Sequence, residues 1–236
     1  LGIEYEDVDV NGIRGAWFSP DARSNGAVLY LHGGAYCLGT INTHREMVGR
    51  LAEAVNRAVL VIEYRLAPEH PFPAALEDAQ TAWRWLLSRG YHPGELFLAG
   101  DSAGGGLALS LLVSLRDAVE PMPAGAALLS PWTDLALEGE SAFSNAETDP
   151  ILNREDLAEK ASLYAGSESL RTPLVSPLYA DLGGLPPLLF QAGSDELLRD
   201  DSVRAAEAAR SAGTKADLRI FEEMFHVFHM MPFLPQ

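Results

Sequence analysis

Cysteine is nearly absent from this chain of 236 residues: Cys37 stands alone. An intramolecular disulfide is therefore excluded, and so is a structural zinc site built on cysteines. Lysine is almost as scarce, represented only by Lys160 and Lys215, and no basic run occurs anywhere. With 17 basic against 33 acidic side chains the formal charge is −16, which lacks the clustered positive footprint that nucleic acid demands. Long apolar runs are missing too. Stretches such as 107–109 and 111–113, broken by Ser110, fall far short of the roughly 18 residues that span a membrane. No signal-peptide pattern opens the sequence, which makes the cytoplasm the expected compartment. Repeats, low-complexity tracts and interdomain linkers are also lacking.

What is present is a globular composition, 47% hydrophobic and 21% charged, at a length that suits one α/β domain with a core large enough to need no staples. Residues 3–10 and 15–19 alternate like an antiparallel pair around Asn11-Gly12. Short apolar runs at 27–31 (AVLYL) and 58–62 (AVLVI) read as strands buried on both faces. Further strands are expected at 96–99, 124–129, 188–191 and 216–221, and helices at 43–55, 74–87, 103–115, 154–164 and 202–212. Such alternation predicts βαβ crossovers and a mostly parallel sheet flanked by helices. Residues 133–178 break the rhythm and, at that length, read as a cap or lid inserted between core strands.

The segment Gly100-Asp101-Ser102-Ala103-Gly104 lies directly between a predicted strand and a predicted helix. A tight turn there would lift the Ser102 hydroxyl clear of the sheet and place it at a helix N-terminus; capping that helix is the serine's other use. A serine nucleophile needs a base held by an acid, in the chain order Ser, Asp or Glu, His. Only His226 and His229 follow Ser102. His226 comes a short loop after the last strand and is the expected base, while His229 lies in an apolar run and suits packing. Asp195, three residues past the end of the predicted strand 188–191 and its following Ala192, is the expected acid, with Glu196 in reserve. Asp200 and Asp201 fit the first turn of a helix. His32-Gly33-Gly34-Ala35 follows the strand 27–31, and the N–H groups of Gly33, Gly34 and Ala103 are expected to form an oxyanion hole. No phosphate-binding G-x-x-x-x-G-K-[ST] occurs.

With these residues in view, the chain resembles the hormone-sensitive-lipase-like (bacterial type IV) carboxylesterases of the α/β-hydrolase fold, over essentially its whole length. The resemblance rests on His32-Gly33-Gly34-Ala35-Tyr36, on the run from Tyr64 to Ala74 (YRLAPEHPFPA), on Gly100-Asp101-Ser102-Ala103-Gly104-Gly105, on Ser130-Pro131-Trp132, on the segment 193–201 and on His226-Val227-Phe228. It implies Ser102 as nucleophile, Asp195 as orienting acid, His226 as base, Gly33, Gly34 and Ala103 as oxyanion donors, and His32 as a brace for the oxyanion loop. It further implies a serine ester hydrolase working through an acyl-enzyme on short- to medium-chain esters, needing no metal or organic cofactor, with a small-molecule ester as its partner and a homodimer as its assembly. Tyr36, Trp132 and Tyr164 are candidate pocket walls. Lactones, amides and acetylated small molecules are open to the same triad, and a non-catalytic ligand-binding role is the reading from another class. Members of that family carry an N-terminal helical segment over the site and a last helix after the histidine loop. Neither falls within the sequence given, and for a protein without the N-terminal segment an open pocket shaped mostly by 133–178 is expected.

Overall fold

The computed structural model describes residues 5–19 and 26–231. Eight strands form one sheet in the order β1-β2-β4-β3-β5-β6-β7-β8, antiparallel among the first three and parallel from β4 onward. The hairpin of β1 (Tyr5–Val10) and β2 (Ile13–Phe18) turns on Asn11 and Gly12, whose positive φ angles of 53° and 90° suit a two-residue turn. Ile3 and Glu4, the start of the predicted first strand, lie outside the described residues. At the centre, β3 (Ala27–Leu31) and β4 (Ala58–Ile62) are buried at every position, which explains why they are continuous apolar runs and not alternating ones.

Helices cover both faces. α1 (Ile41–Val55) lays Ile41, Met47, Val48 and Ala52 against the face that carries Val28, Tyr30, Val59 and Val61. A Thr40 and Thr43 capping box starts it, and Asn56 with φ 49° ends it. On the other face α2 (Ala74–Ser88), α3 (Ala103–Asp117) and α6 (Arg199–Ser211) pack over Leu29, Leu31, Leu60 and Leu98. α3 is the innermost element: twelve of its fifteen residues are buried, so it is apolar nearly all round and shows little amphipathic signal. Strands β5 (Leu96–Asp101), β6 (Gly125–Leu129), β7 (Leu188–Gly193) and β8 (Ala216–Phe221) complete the sheet. β5 and β7 each run two residues beyond their predicted ends. Both extensions bear on the site.

The segment 133–178 carries a single turn, α4 (Ser141–Ser144), and the longer α5 (Arg154–Ala165). It is pinned to α6 by two acids of that helix, Asp201 buried and Asp200 half-buried. The Asp201 carboxylate accepts the N–H groups of Thr133 and Asp134, each at 2.7 Å, and that of Asp200 accepts Ser141 N–H at 2.9 Å. These two aspartates do sit in the first turn of α6, but their carboxylates face the insertion. Among the described residues no helix is long and apolar enough to cross a membrane. Because Leu29 is fully buried between α3 and its neighbouring strands, Leu29→Ala is expected to cost about 2–5 kcal/mol in urea unfolding; a cost under about 1 kcal/mol would show a core able to collapse around the gap.

Candidate active site

All the loops of interest leave the carboxyl ends of parallel strands, where open α/β sheets place their ligands. Between the end of β5 at Asp101 and the start of α3 at Ala103 there is one residue, Ser102, with φ 52° and ψ −123°. A residue with a Cβ rarely enters that region. The turn is possible because its flanks have no side chains: a Cβ on Gly104 would stand 2.0 Å from the Leu31 carbonyl oxygen, and one on Gly100 would stand 2.4 Å from that of Gly104. The backbone of Ser102 is held by its N–H to Leu129 O at 2.9 Å and by Trp132 N–H to its own carbonyl at 2.9 Å. Its side chain makes no cap bond to α3. The hydroxyl instead lies 2.9 Å from His226 Nε2.

His226 hangs on the loop after β8. Phe221 O and Met224 O accept the N–H groups of Ser194 and Asp195, and Ser130 Oγ accepts that of Val227 at 3.1 Å. The other ring nitrogen, Nδ1, lies 3.0 Å from Glu196 Oε2, and Glu196 is fully buried. Its Oε1 accepts the Gly193 N–H at 3.2 Å. Asp195, the expected acid, is not brought to His226: its Oδ1 takes the Ser194 hydroxyl at 2.6 Å. The Asp195 N–H is held by Met224 O at 3.0 Å and its side chain stays half-buried, whereas the Glu196 side chain turns fully inward, between Gly193 N–H and His226. The signal available in the sequence was the Leu197-Leu198 pair, both fully buried, which draws the adjacent Glu196 inward. His229 makes a contact of 3.0 Å with Gln191 Oε1, and its ring lies 3.9 Å from that of Phe228, tilted by 31°. Burial pushes its imidazole down to about 4, which keeps it neutral packing material.

The loop after β3 is built around a buried carboxylate. Asp101 Oδ1 accepts the Tyr30 hydroxyl at 2.7 Å and the Gly33 N–H at 3.0 Å, while Oδ2 faces His44 Nε2 at 3.2 Å. Gly33 is thereby removed from the expected oxyanion hole, since its N–H points inward at Asp101. A Cβ there would meet Asp101 Oδ2 at 2.2 Å. The next two residues, Gly34 with φ 121° and Ala35 with φ 52°, donate no hydrogen bond among the described residues and line the same cavity as Ser102. Ala103 opens α3, where the first N–H groups have no intrahelical partner. The structure thus leaves Gly34, Ala35 and Ala103 as free donors near Ser102. Sequence reading missed Ala35 because the donor register depends on which glycine turns inward.

Burial opposes charge on both members of the pair beneath this loop. It would raise Asp101, yet the hydrogen bond and charge of His44, with the Tyr30 hydroxyl, hold Asp101 below its ordinary value of 3.8. It would lower His44, yet the Asp101 hydrogen bond and charge leave the imidazole above 6.5. His32 is different: burial takes it down to about 4, and its neutral ring donates from Nδ1 to Gly33 O at 2.8 Å while stacking on Tyr64 at 4.3 Å. The Tyr64 hydroxyl in turn donates to His32 O at 2.6 Å.

Ser102 and His226 open on a cavity of about 420 Å³ walled by Leu38, Leu152, Leu157, Phe225 and Met230. The aromatic residues expected as walls are elsewhere. Tyr36, Trp132 and Tyr164 are at most 1% exposed, with Tyr36 stacked on Tyr164 at 3.7 Å and 6.2 Å from Trp132. They plug the core beneath α5. Large rings close a core more often than they line a mouth, and the aliphatic walls missed in the sequence come from loops with no periodic pattern. Among the described residues no group of three or more His, Cys, Asp or Glu side chains is arranged to hold a metal ion.

A family model described as the α/β-hydrolase fold matches residues 28–230. An acetyl-hydrolase of Streptomyces hygroscopicus is 46% identical over 238 residues, which covers 100% of this chain and 80% of the relative. An esterase of Acinetobacter venetianus is 37% identical, over 97% of this chain and 76% of its own length. Among solved structures, an esterase from the bacterial hormone-sensitive lipase family superposes with a TM-score of 0.96 at 48% identity, covering 99% of this chain and 79% of that one.

Two outcomes follow from the geometry. Ser102→Gly removes the strained Cβ and is expected to unfold in urea with about 1 kcal/mol more stability than Ser102→Ala, which keeps it; equal stabilities would show an unstrained turn. The His44 contribution is complete below its unfolded value of 6.5 and is lost as pH rises through the higher folded value, whereas that of Asp101 is present above 3.8 and lost as pH falls through its lower folded value. The melting temperature should therefore fall more steeply as pH rises above 6.5 for the native chain than for His44→Gln. Parallel curves would count against the pair.

Proposed function

The chain belongs to the α/β-hydrolase family of hormone-sensitive-lipase-like carboxylesterases, and from that premise we propose that it cleaves short- to medium-chain esters through an acyl-enzyme on Ser102, with His226 as base and Glu196 as orienting acid. The observation that carries this reading is the continuous relay from Ser102 Oγ to His226 Nε2 at 2.9 Å and from His226 Nδ1 to Glu196 Oε2 at 3.0 Å, opening on an apolar cavity.

In the first half-reaction Ser102 Oγ bonds to the ester carbonyl carbon while His226 Nε2 takes the hydroxyl proton. Glu196 fixes the ring so that Nδ1–H points at the carboxylate and Nε2 is free to accept. The carbonyl oxygen, now anionic, is received by the N–H groups of Gly34, Ala35 and Ala103. Each such donor is worth roughly 3–4 kcal/mol in the transition state, because in a dry site it needs no reorganisation. Collapse breaks the bond to the alcohol, which leaves with the proton from His226. Water then gives a proton to the same nitrogen as its oxygen bonds to the acyl carbon; the bond from that carbon to Ser102 Oγ breaks, His226 returns the proton to Oγ, and the acid leaves. The walls made by 151–160 and Leu38 hold the acyl or alcohol part of the ester, so this stretch of the insertion serves as the cap. The name of the Streptomyces hygroscopicus relative, an acetyl-hydrolase, supports small acyl groups at this site.

The test is hydrolysis of p-nitrophenyl acetate, butyrate, octanoate and palmitate. The native chain should favour acetate and butyrate, and Ser102→Ala should lose at least about a thousandfold. Glu196→Gln should fall by roughly a thousandfold or more, since the wrong tautomer is then held, while Asp195→Asn should stay within about threefold. A full rate in Ser102→Ala would sink the nucleophile, and equal losses in the two acid variants would sink the choice of Glu196.

A further inference from the structure

The mouth of the cavity and the loop carrying the acid are tied by one buried carboxylate that the mechanism does not use. Asp149 is 6% exposed. Its Oδ1 accepts the N–H groups of Ile151 at 2.9 Å and Leu152 at 3.1 Å, and its Oδ2 accepts that of Leu197 at 2.8 Å, 48 residues on. Pro150 lies between donor and acceptor in the first of these turns. It has no N–H to compete and a fixed φ, so the turn closes on the two residues that follow. The near oxygen therefore shapes the cavity rim while the far oxygen holds the residue after Glu196.

Neighbours reinforce the far side. Asn145 Nδ2 donates to Ser194 O at 2.9 Å and Glu196 O at 3.1 Å, and Ser141 Oγ donates to Leu197 O at 2.8 Å. These bonds converge on the backbone of 194–197, on either side of the Glu196 side chain. The first part of the insertion is thus a strut against the acid loop, and only the part beyond Asp149 reaches the cavity.

We propose that Asp149 is a positioning residue with two effects at once: it holds Glu196 in reach of His226, and it sets how far Ile151 and Leu152 stand from Ser102. Chain-length preference and the rate of acyl transfer are then coupled through one side chain. The inference rests on the esterase reading given above. It turns on the number of acceptors. A carboxylate receives donors from both segments, whereas an asparagine offers one oxygen and presents N–H₂ to the other side, so one of the two ties must be released.

The experiment compares native chain, Asp149→Asn and Asn145→Ala on p-nitrophenyl butyrate and octanoate, at a temperature where melting curves show each to be folded. Asp149→Asn is expected to lose about tenfold in kcat/KM on butyrate, given that displacements of an ångström cost up to about a hundredfold, and to shift the octanoate-to-butyrate ratio by about threefold. Asn145→Ala loosens the acid side alone, so it should lower kcat by about fivefold with the ratio unchanged. A lowered melting temperature in Asp149→Asn with native kcat/KM and a native ratio would overturn the proposal and leave Asp149 a purely structural clamp. Should Asp149→Asn not fold, native kcat in Asn145→Ala overturns it. If the native chain shows no Ser102-dependent hydrolysis of any ester, the esterase reading itself fails and the inference falls with it.

Discussion

An unpaired carboxylate sealed from water would cost several kcal/mol, yet Asp101, next to the nucleophile, is only 2% exposed. The site depends on how that cost is met. Tyr30, Gly33 and His44 surround the carboxylate with donors from β3, the loop after it and α1. The arrangement fixes the glycine loop against the end of β5, and so decides which N–H groups face inward and which face the cavity. It also places the strained Ser102 turn over an element with no room to spare, since a Cβ on Gly104 would meet the Leu31 and His32 carbonyl oxygens.

How much of this the sequence disclosed follows from the kind of constraint involved. Runs such as AVLYL and AVLVI are legible because burial on both faces leaves no other residue choice, and the Asn11-Gly12 turn is legible because few pairs accept its angles. The serine turn is legible for the same reason: glycine on both sides marks a close approach. The structure brings Glu196, and not Asp195, to His226, and it turns the Gly33 N–H toward Asp101. Adjacent side chains point to opposite sides, so an error of a single position exchanges the two assignments, and composition carries no measure of a turn's length at that grain. Tyr36 and Tyr164 illustrate another limit. Their ring stack depends on α5 folding back over the core, a contact between residues 128 apart in number that no local pattern encodes.

The insertion illustrates a difference between sequence length and mobility. Its length suggested a lid, but Asp200 and Asp201 bind its first residues to α6, and Arg204 reaches Asp134 at 2.5 Å. Acids that a helix N-terminus would welcome for their charge are used here as acceptors for a neighbouring loop. Burial raises Asp201 well above its ordinary range, with the nearby charge of Asp134 adding to it. The same insertion holds the backbone on both sides of Glu196, through Asn145, Ser141 and Asp149.

The direction of the strands has a consequence for handling the molecule. Every loop that carries chemistry leaves a carboxyl end, so the opposite rim, with its turns at Gly90 and Gly213, has no part in the site. At both of those glycines a Cβ would meet nothing within 4 Å. New chain termini, a fluorophore or a fused partner placed at these turns would lie a strand's length from Ser102. Circular permutation there keeps the serine, histidine and glutamate loops on unbroken strands, and it leaves the acid strut intact.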